Sequence, residues 1–170
     1  MSDAAFPTPP SDAGQVAAEH LAGKGHTMPD GEQMAAYLAP IADGTDGPVV
    51  MLNLNKYRER AAYADGRDTA GRSGREVYLD YGIVAQQALG HVGAKILWAT
   101  EATTPLIGCE HDAYDEVLAI WYPNRAAFVE LTNFPGYTEA LQHREAALAW
   151  SSLIPCVGSD DGTLKTPFDV

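Results

Sequence analysis

Val49-Val-Met-Leu-Asn-Leu-Asn55 is an apolar run entered through a Gly-Pro pair and free of Gly and Pro itself, which predicts a first strand. Ahead of it, Asp30 and Gln33 have capping-box spacing, and Met34, Tyr37, Leu38 and Ile41 recur at helical intervals. A short helix is therefore expected over residues 31–39, stopped by Pro40 and by the turn-rich residues 43–48. Ser73 and Glu76 make a second capping box, after which Val77, Tyr81, Val84 and Ala88 keep helical spacing until Gly90 and Gly93 end the element. Three further strands are predicted over residues 94–100, 116–122 and 152–157, the last an edge strand because Pro155 cannot donate to a ladder. Between the last two lies a helical stretch over residues 125–150, broken near Pro135-Gly136.

Strand, helix, strand, strand, helix, strand is the split βαβ plan, so the fold class is α+β: a ferredoxin-like βαββαβ antiparallel sheet with helices on one face. The other face needs cover, because Trp98, Trp121, Met51 and Val117 are more apolar bulk than the helix face alone absorbs. Two copies packing sheet against sheet, a homodimer, are the expectation. Residues 1–30 read as a flexible N-terminal arm with room for one short helix over residues 14–21, and residues 31–170 as the α+β domain. A basic, Gly-containing connection over residues 56–75 carries Arg58, Arg60, Arg67, Arg72 and Arg75 and reads as a mobile flap or a surface loop.

These residues together resemble the bacterial domain-of-unknown-function 1330 family of the dimeric α/β-barrel superfamily. The resemblance lies in Val49-Val-Met-Leu-Asn53-Leu, Ser73-Gly74 with Tyr78 and Tyr81, Gly93, Asp115-Glu-Val, Tyr122-Pro123, Ala127-Phe128, Pro135-Gly-Tyr137 and His143-Arg144-Glu-Ala-Ala-Leu. It covers about residues 31–157. It implies a ferredoxin-like protomer, a two-fold dimer forming a dimeric α/β barrel, and a pocket between sheet and helices, with no assigned reaction. Asn124 stands where the family more often has Ser, and both are competent N-caps.

Charge and cysteine usage narrow the partners. A formal charge of -12 on 170 residues repels phosphate backbones and anionic lipids, so neither nucleic acid nor membrane is expected as a partner. The N-terminal residues show no secretory or lipidation signal, and Cys109 and Cys156 fit neither a disulfide framework nor a Cys-x-x-Cys motif; two semi-buried thiols in a reducing cytoplasm are expected. The five histidines lack metal-ligand pairing, and no phosphate loop, dinucleotide fingerprint or Gly-x-Ser-x-Gly elbow is present. No metal and no cofactor are expected.

The candidate site residues are polar groups on apolar faces. Asn53 shares a strand face with Met51, Asn55 and Tyr57, and either satisfies a neighbouring backbone group or meets a ligand. Tyr78 and Tyr81 lie one turn apart on the long helix, where a phenol can donate to a developing oxyanion or simply complete a core. Gly82 beside them signals close approach of another group, or is merely tolerated. Arg144 belongs to the stripe Tyr137, Leu141, Arg144, Leu148 and either clamps a ligand oxygen or pairs with Asp115 or Glu116. His143 points toward Glu139 and Trp150. The ligand-binding set is thus Asn53, Tyr78, Tyr81, Arg144 and Trp121, with His143 and Tyr81 as candidate proton carriers. Two functions follow: a small-molecule-binding homodimer, or a cofactor-independent oxygenase, isomerase or decarboxylase acting on a small aromatic or carbonyl compound. A third, an interaction module using the arginine-rich connection, stands beside them. Convergence of Asn53, Tyr81 and His143 on one void would favour the enzyme; dispersal would favour binding or structure.

Overall fold

The computed structural model describes residues 27–163, so the helix expected over residues 14–21 lies outside the described residues. Strand β1, Val49–Tyr57, is the centre of the sheet and runs two residues past the predicted end. On one side it pairs antiparallel with β3, Glu116–Tyr122, bringing Val49 opposite Tyr122 and Asn55 opposite Glu116. On the other it pairs antiparallel with β4, Leu148–Val157; β2, Lys95–Glu101, closes the far side against β3. The order β2-β3-β1-β4, with β1 and β2 parallel across β3, is that of a ferredoxin-like split βαβ sheet. As expected from Pro155, β4 is an edge.

Two helices cover one face. Helix α2, Gly74–His91, starts on the Ser73–Glu76 capping box, and Gly93 turns the chain away at φ 73°. Helix α4, Tyr137–Ala147, starts from Gly136 at φ 81°, a left-handed conformation that only glycine adopts at low cost. Val49 and Met51 of β1 and Ile120 and Tyr122 of β3 meet Ala88 and Leu89 of α2 and Tyr137 of α4 in the core. Met51 therefore belongs to the helix face, contrary to the expectation that grouped it with Trp98, Trp121 and Val117: its partner across the ladder is Ile120, and strand alternation sends both the same way. The opposite face carries Leu52, Leu54, Val117 and Trp121, joined by Trp98 because a bulge between Ile96 and Trp98 resets the alternation of β2. Trp98 is 38% and Ile154 46% exposed there.

Other boundaries also differ from expectation. Helix α1, Gly31–Ala42, begins on the Asp30–Gln33 box but continues through Pro40. The proline removes a bond in the final turn only, and Asp43 and Thr45 then close the helix by donating to the Ala39 and Pro40 carbonyls. Helix α4 ends at Ala147 and β4 begins at the very next residue, although Ala-Leu-Ala-Trp150 continues a helical composition. Pairing of Leu148 with Tyr57 and of Trp150 with Lys56 overrides that propensity. The 125–150 stretch is thus a six-residue helix α3, Arg125–Glu130, a 3-10 turn over Leu131–Asn133, then α4.

The arginine-rich connection is a docked loop and not a free flap. Arg58 and Ala62 donate from their backbone N–H groups to the carbonyls of Ala147 and Ala146, and Ala61 donates to Arg72. Both cysteines are exposed, where semi-buried thiols were expected. Among the described residues no helix is long and apolar enough to cross a membrane.

Candidate functional site

The helix face of β1 changes from aliphatic to polar along its length, from Val49 and Met51 through Asn53 to Asn55 and Tyr57. Asn55 is only 1% exposed. A buried amide needs partners, since leaving one unmet costs about 1–3 kcal/mol. Its Nδ2 lies 3.2 Å from the Tyr78 hydroxyl and 3.4 Å from Glu116 Oε2, to both of which it donates. The Tyr57 hydroxyl donates to that same carboxylate oxygen. Ladder register supplies this meeting, because Glu116 is the residue of β3 directly opposite Asn55.

Above these groups stands a chain of phenols. Tyr78 and Tyr81 lie on the inner face of α2, and the Tyr81 hydroxyl is 3.1 Å from that of Tyr137 on α4. Successive ring centroids are 5.3 Å apart for Tyr57–Tyr78, 5.3 Å for Tyr78–Tyr81 and 6.0 Å for Tyr81–Tyr137, in tilted or edge-to-face contact. Such pairs stabilise by about 0.5–1.5 kcal/mol each beyond area burial. Burial pushes the phenols of Tyr57, Tyr78, Tyr122 and Tyr137 above the ordinary tyrosine range; for Tyr57 the Glu116 carboxylate adds to this, and for Tyr78 and Tyr137 the charge of Arg144 works against it. These hydroxyls are therefore neutral donors and acceptors at ordinary pH. The resemblance implied a pocket between sheet and helices; rings of Tyr81, Tyr122 and Tyr137 pack into that space.

A cleft of about 480 Å³ opens where β1 leaves the sheet, with Lys56, Tyr57, Arg58, Arg75, Glu101 and Asp115 among its walls. Tyr57 links the two places, its ring bordering the cleft and its hydroxyl reaching Glu116 inside. Lys56 and Asp115 pair at 2.6 Å, Arg75 and Glu101 at 2.9 Å.

The predicted site residues separate into those that meet and those that do not. Tyr78 and Tyr81 stand together, and Arg144 approaches closely enough for its charge to act on Tyr78 and Tyr137. Arg144 pairs with neither Asp115 nor Glu116: it donates to the Thr27 carbonyl and, at 3.1 Å, to the Ser151 hydroxyl. Asn53 donates to the Met51 carbonyl at 3.0 Å, the backbone-satisfying alternative of its two readings. His143 Nδ1 is 2.6 Å from the Tyr63 hydroxyl of the docked loop, and Trp150, placed beside it in the sequence reading, lies on β4. Trp121 faces the opposite side of the sheet, 7% exposed, and donates from Nε1 to the Ser159 carbonyl at 2.8 Å. Asn53, Tyr81 and His143 thus have three separate partners, and none of them lines the cleft. Gly82 has open space around it, the tolerated-glycine reading. Asn55, Tyr57, Glu116 and Tyr137 were not singled out from sequence as site residues; Asn55 and Tyr57 carry a signal in strand alternation, whereas Glu116 is found only once the β1–β3 register is known.

No protein-family model matches the chain, and no curated protein does. Among solved structures it is similar to that of the methylated RPA0582 protein, at 37% identity and a TM-score of 0.70, covering 85% of this chain and 98% of that one. It is likewise similar to that of the RPA0582 protein of unknown function from Rhodopseudomonas palustris, at 35% identity and a TM-score of 0.68, covering 84% and 99%.

Proposed function

The chain belongs to the same family as the RPA0582 protein of Rhodopseudomonas palustris, and we propose that it is a small-molecule-binding homodimer whose two sheets pack face to face as a dimeric α/β barrel. The domain-of-unknown-function 1330 family is the proposed wider grouping, and the cytoplasm the proposed compartment. Supporting the dimer are the aliphatic and indole side chains on the face of the sheet that α2 and α4 leave open, with Trp98 and Ile154 substantially exposed. The observation that carries the binding reading is Asn55: a fully buried amide that donates to the Glu116 carboxylate and the Tyr78 phenol, beside Tyr57, which shares that carboxylate and borders an open cleft. Folding alone gains little from such a cluster over a shape-matched apolar one, whereas a ligand oxygen would find the Tyr78 O–H, which accepts from Asn55 and has no acceptor of its own among the described residues.

Binding ranks above catalysis because Asn53, Tyr81 and His143 do not converge. A cofactor-independent oxygenase, isomerase or decarboxylase needs a proton carrier beside its oxyanion donor, and His143 is engaged with Tyr63 on the loop. Light scattering on the eluting protein tests the assembly: twice 18.2 kDa is expected, and a well-folded species at 18.2 kDa would sink the paired-sheet reading. Ligand-observed NMR against a mixed metabolite set tests the site, with contacts expected to vanish in Asn55→Leu.

A further inference from the structure

The cleft beside Tyr57 contains three basic side chains, and two are already neutralised: Lys56 by Asp115 at 2.6 Å and Arg75 by Glu101 at 2.9 Å. Arg58 is the exception. Its Nε is buried with no hydrogen-bond partner, and among the described residues its guanidinium forms no ion pair. Glu59, which also borders the cleft, is exposed and makes no bond to it.

The backbone of Arg58 is held on both sides. Its N–H donates to the Ala147 carbonyl at 2.8 Å, and its carbonyl accepts from Gly74 N–H at 2.9 Å. A Cβ at position 74 would stand 2.2 Å from the Ala147 oxygen and 2.7 Å from the Arg58 N and O atoms, so the lack of a side chain there is what lets the three segments meet. An arginine on a fixed backbone, with a buried Nε that has no partner, at the wall of a cleft of about 480 Å³ offers a ligand oxygen a donor that folding leaves unused. Its planar fork matches two oxygens on one carbon. The Tyr57 ring at the wall, with the Arg75 guanidinium 6.0 Å from its centroid, offers a flat apolar neighbour to the body of the same ligand.

We propose that this cleft binds a small organic carboxylate, anchored by Arg58 through a charge-assisted, two-point hydrogen bond. The inference rests on the small-molecule reading above and names the class of ligand and the place of its charged end.

The test titrates full-length protein with benzoate, and with benzamide as its uncharged counterpart, following backbone amides and the Arg Nε–H signals by NMR. Benzoate is expected to shift the Arg58 Nε–H and the amides of Tyr57 and Gly74 saturably, with benzamide at least tenfold weaker. Arg58→Gln should lose at least tenfold in benzoate affinity. Because that variant also perturbs a packed corner, Glu101→Gln supplies an independent arm: it frees the Arg75 guanidinium and should tighten benzoate several-fold. Unmoved Arg58 signals, equal binding of benzamide, unchanged affinity in Arg58→Gln, or failure of Glu101→Gln to tighten binding would each overturn the proposal. A monomeric mass would sink the paired-sheet reading while leaving these shifts in place, and silence from benzoate would leave the dimer and neutral ligands standing.

Discussion

Asn55 and Asn53 look alike in the sequence, two amides on one face of one apolar strand, yet they sit differently. Asn53 satisfies a carbonyl of its own strand, whereas Asn55 is buried against Glu116 and Tyr78. Alternation along β1 was legible from residue order; the partner was not, because it depends on a register between segments about sixty residues apart. Asn55→Ala is expected to lower unfolding stability by about 1–3 kcal/mol, by removing a donor that Glu116 and Tyr78 use in a buried place, as denaturant melts would measure. Two glycines make a sharper contrast. Gly74→Ala drives a methyl into the Ala147 and Arg58 backbones and should cost at least about 4 kcal/mol or prevent folding. Gly82→Ala meets nothing within 4 Å on the same helix and should raise stability by about 0.5–1 kcal/mol. If the two substitutions move the melting temperature alike, the packing account of residues 58, 74 and 147 is wrong.

Elements were readable where a local signal fixed them. The capping boxes at Asp30 and Ser73 start α1 and α2 as the side chains dictate, and β3 occupies the predicted span because no competing periodicity intrudes. The start of β4 was hidden because Ala-Leu-Ala-Trp favours helix and only pairing with β1 turns it into strand. Helix α3 shows a further nonlocal device. Asn124 caps it through the Ala127 N–H at 2.8 Å, and Asp46, from the turn before β1, accepts from Arg125 N–H at 2.9 Å and Ala126 N–H at 3.1 Å. Burial works to raise the Asp46 carboxyl, but the N–H groups of Arg125, Ala126 and Gly47, helped by the Arg125 guanidinium, win and hold it below the usual carboxylate range. A carboxyl lowered in the folded state contributes stability above its unfolded value, near pH 4, and loses it as pH falls through the folded value. Denaturation of wild type and Asp46→Asn across pH 2–7 should therefore show the variant less stable at neutral pH, by about 1 kcal/mol, with the gap closing on acidification. A gap independent of pH would remove the charge from the explanation.

For the molecule as a whole, apolar content pointed to an apolar sheet face opposite the helices but misassigned one member. Met51 went to the core, while Trp98 reached the open face through a bulge that no sequence signal marks. The proposed dimer puts Trp98, Leu52 and Ile154 in its seam, so Trp98→Glu should give monomers by light scattering while keeping the far-ultraviolet signature of the fold. Persistence of the wild-type mass would move the interface elsewhere. Chemistry was the least legible layer: the cluster around Glu116 joins β1, α2 and β3, and its members come from segments far apart in the chain that only the folded register brings together.

The neck that joins Arg58, Gly74 and Ala147 has a corollary for how this chain can vary. Cinched at its base by Arg58 to Gly74 and by Ala61 to Arg72, the intervening bight rests on α4 through Tyr63 to His143 and Arg67 to Gln142, and each doubling of its contour adds only about 0.6 kcal/mol of closure entropy. Peptide grafted at Gly66, which is exposed with nothing within 4 Å of where a side chain would start, would keep that neck closed, making this corner the natural ground for new recognition to be written onto an unchanged frame.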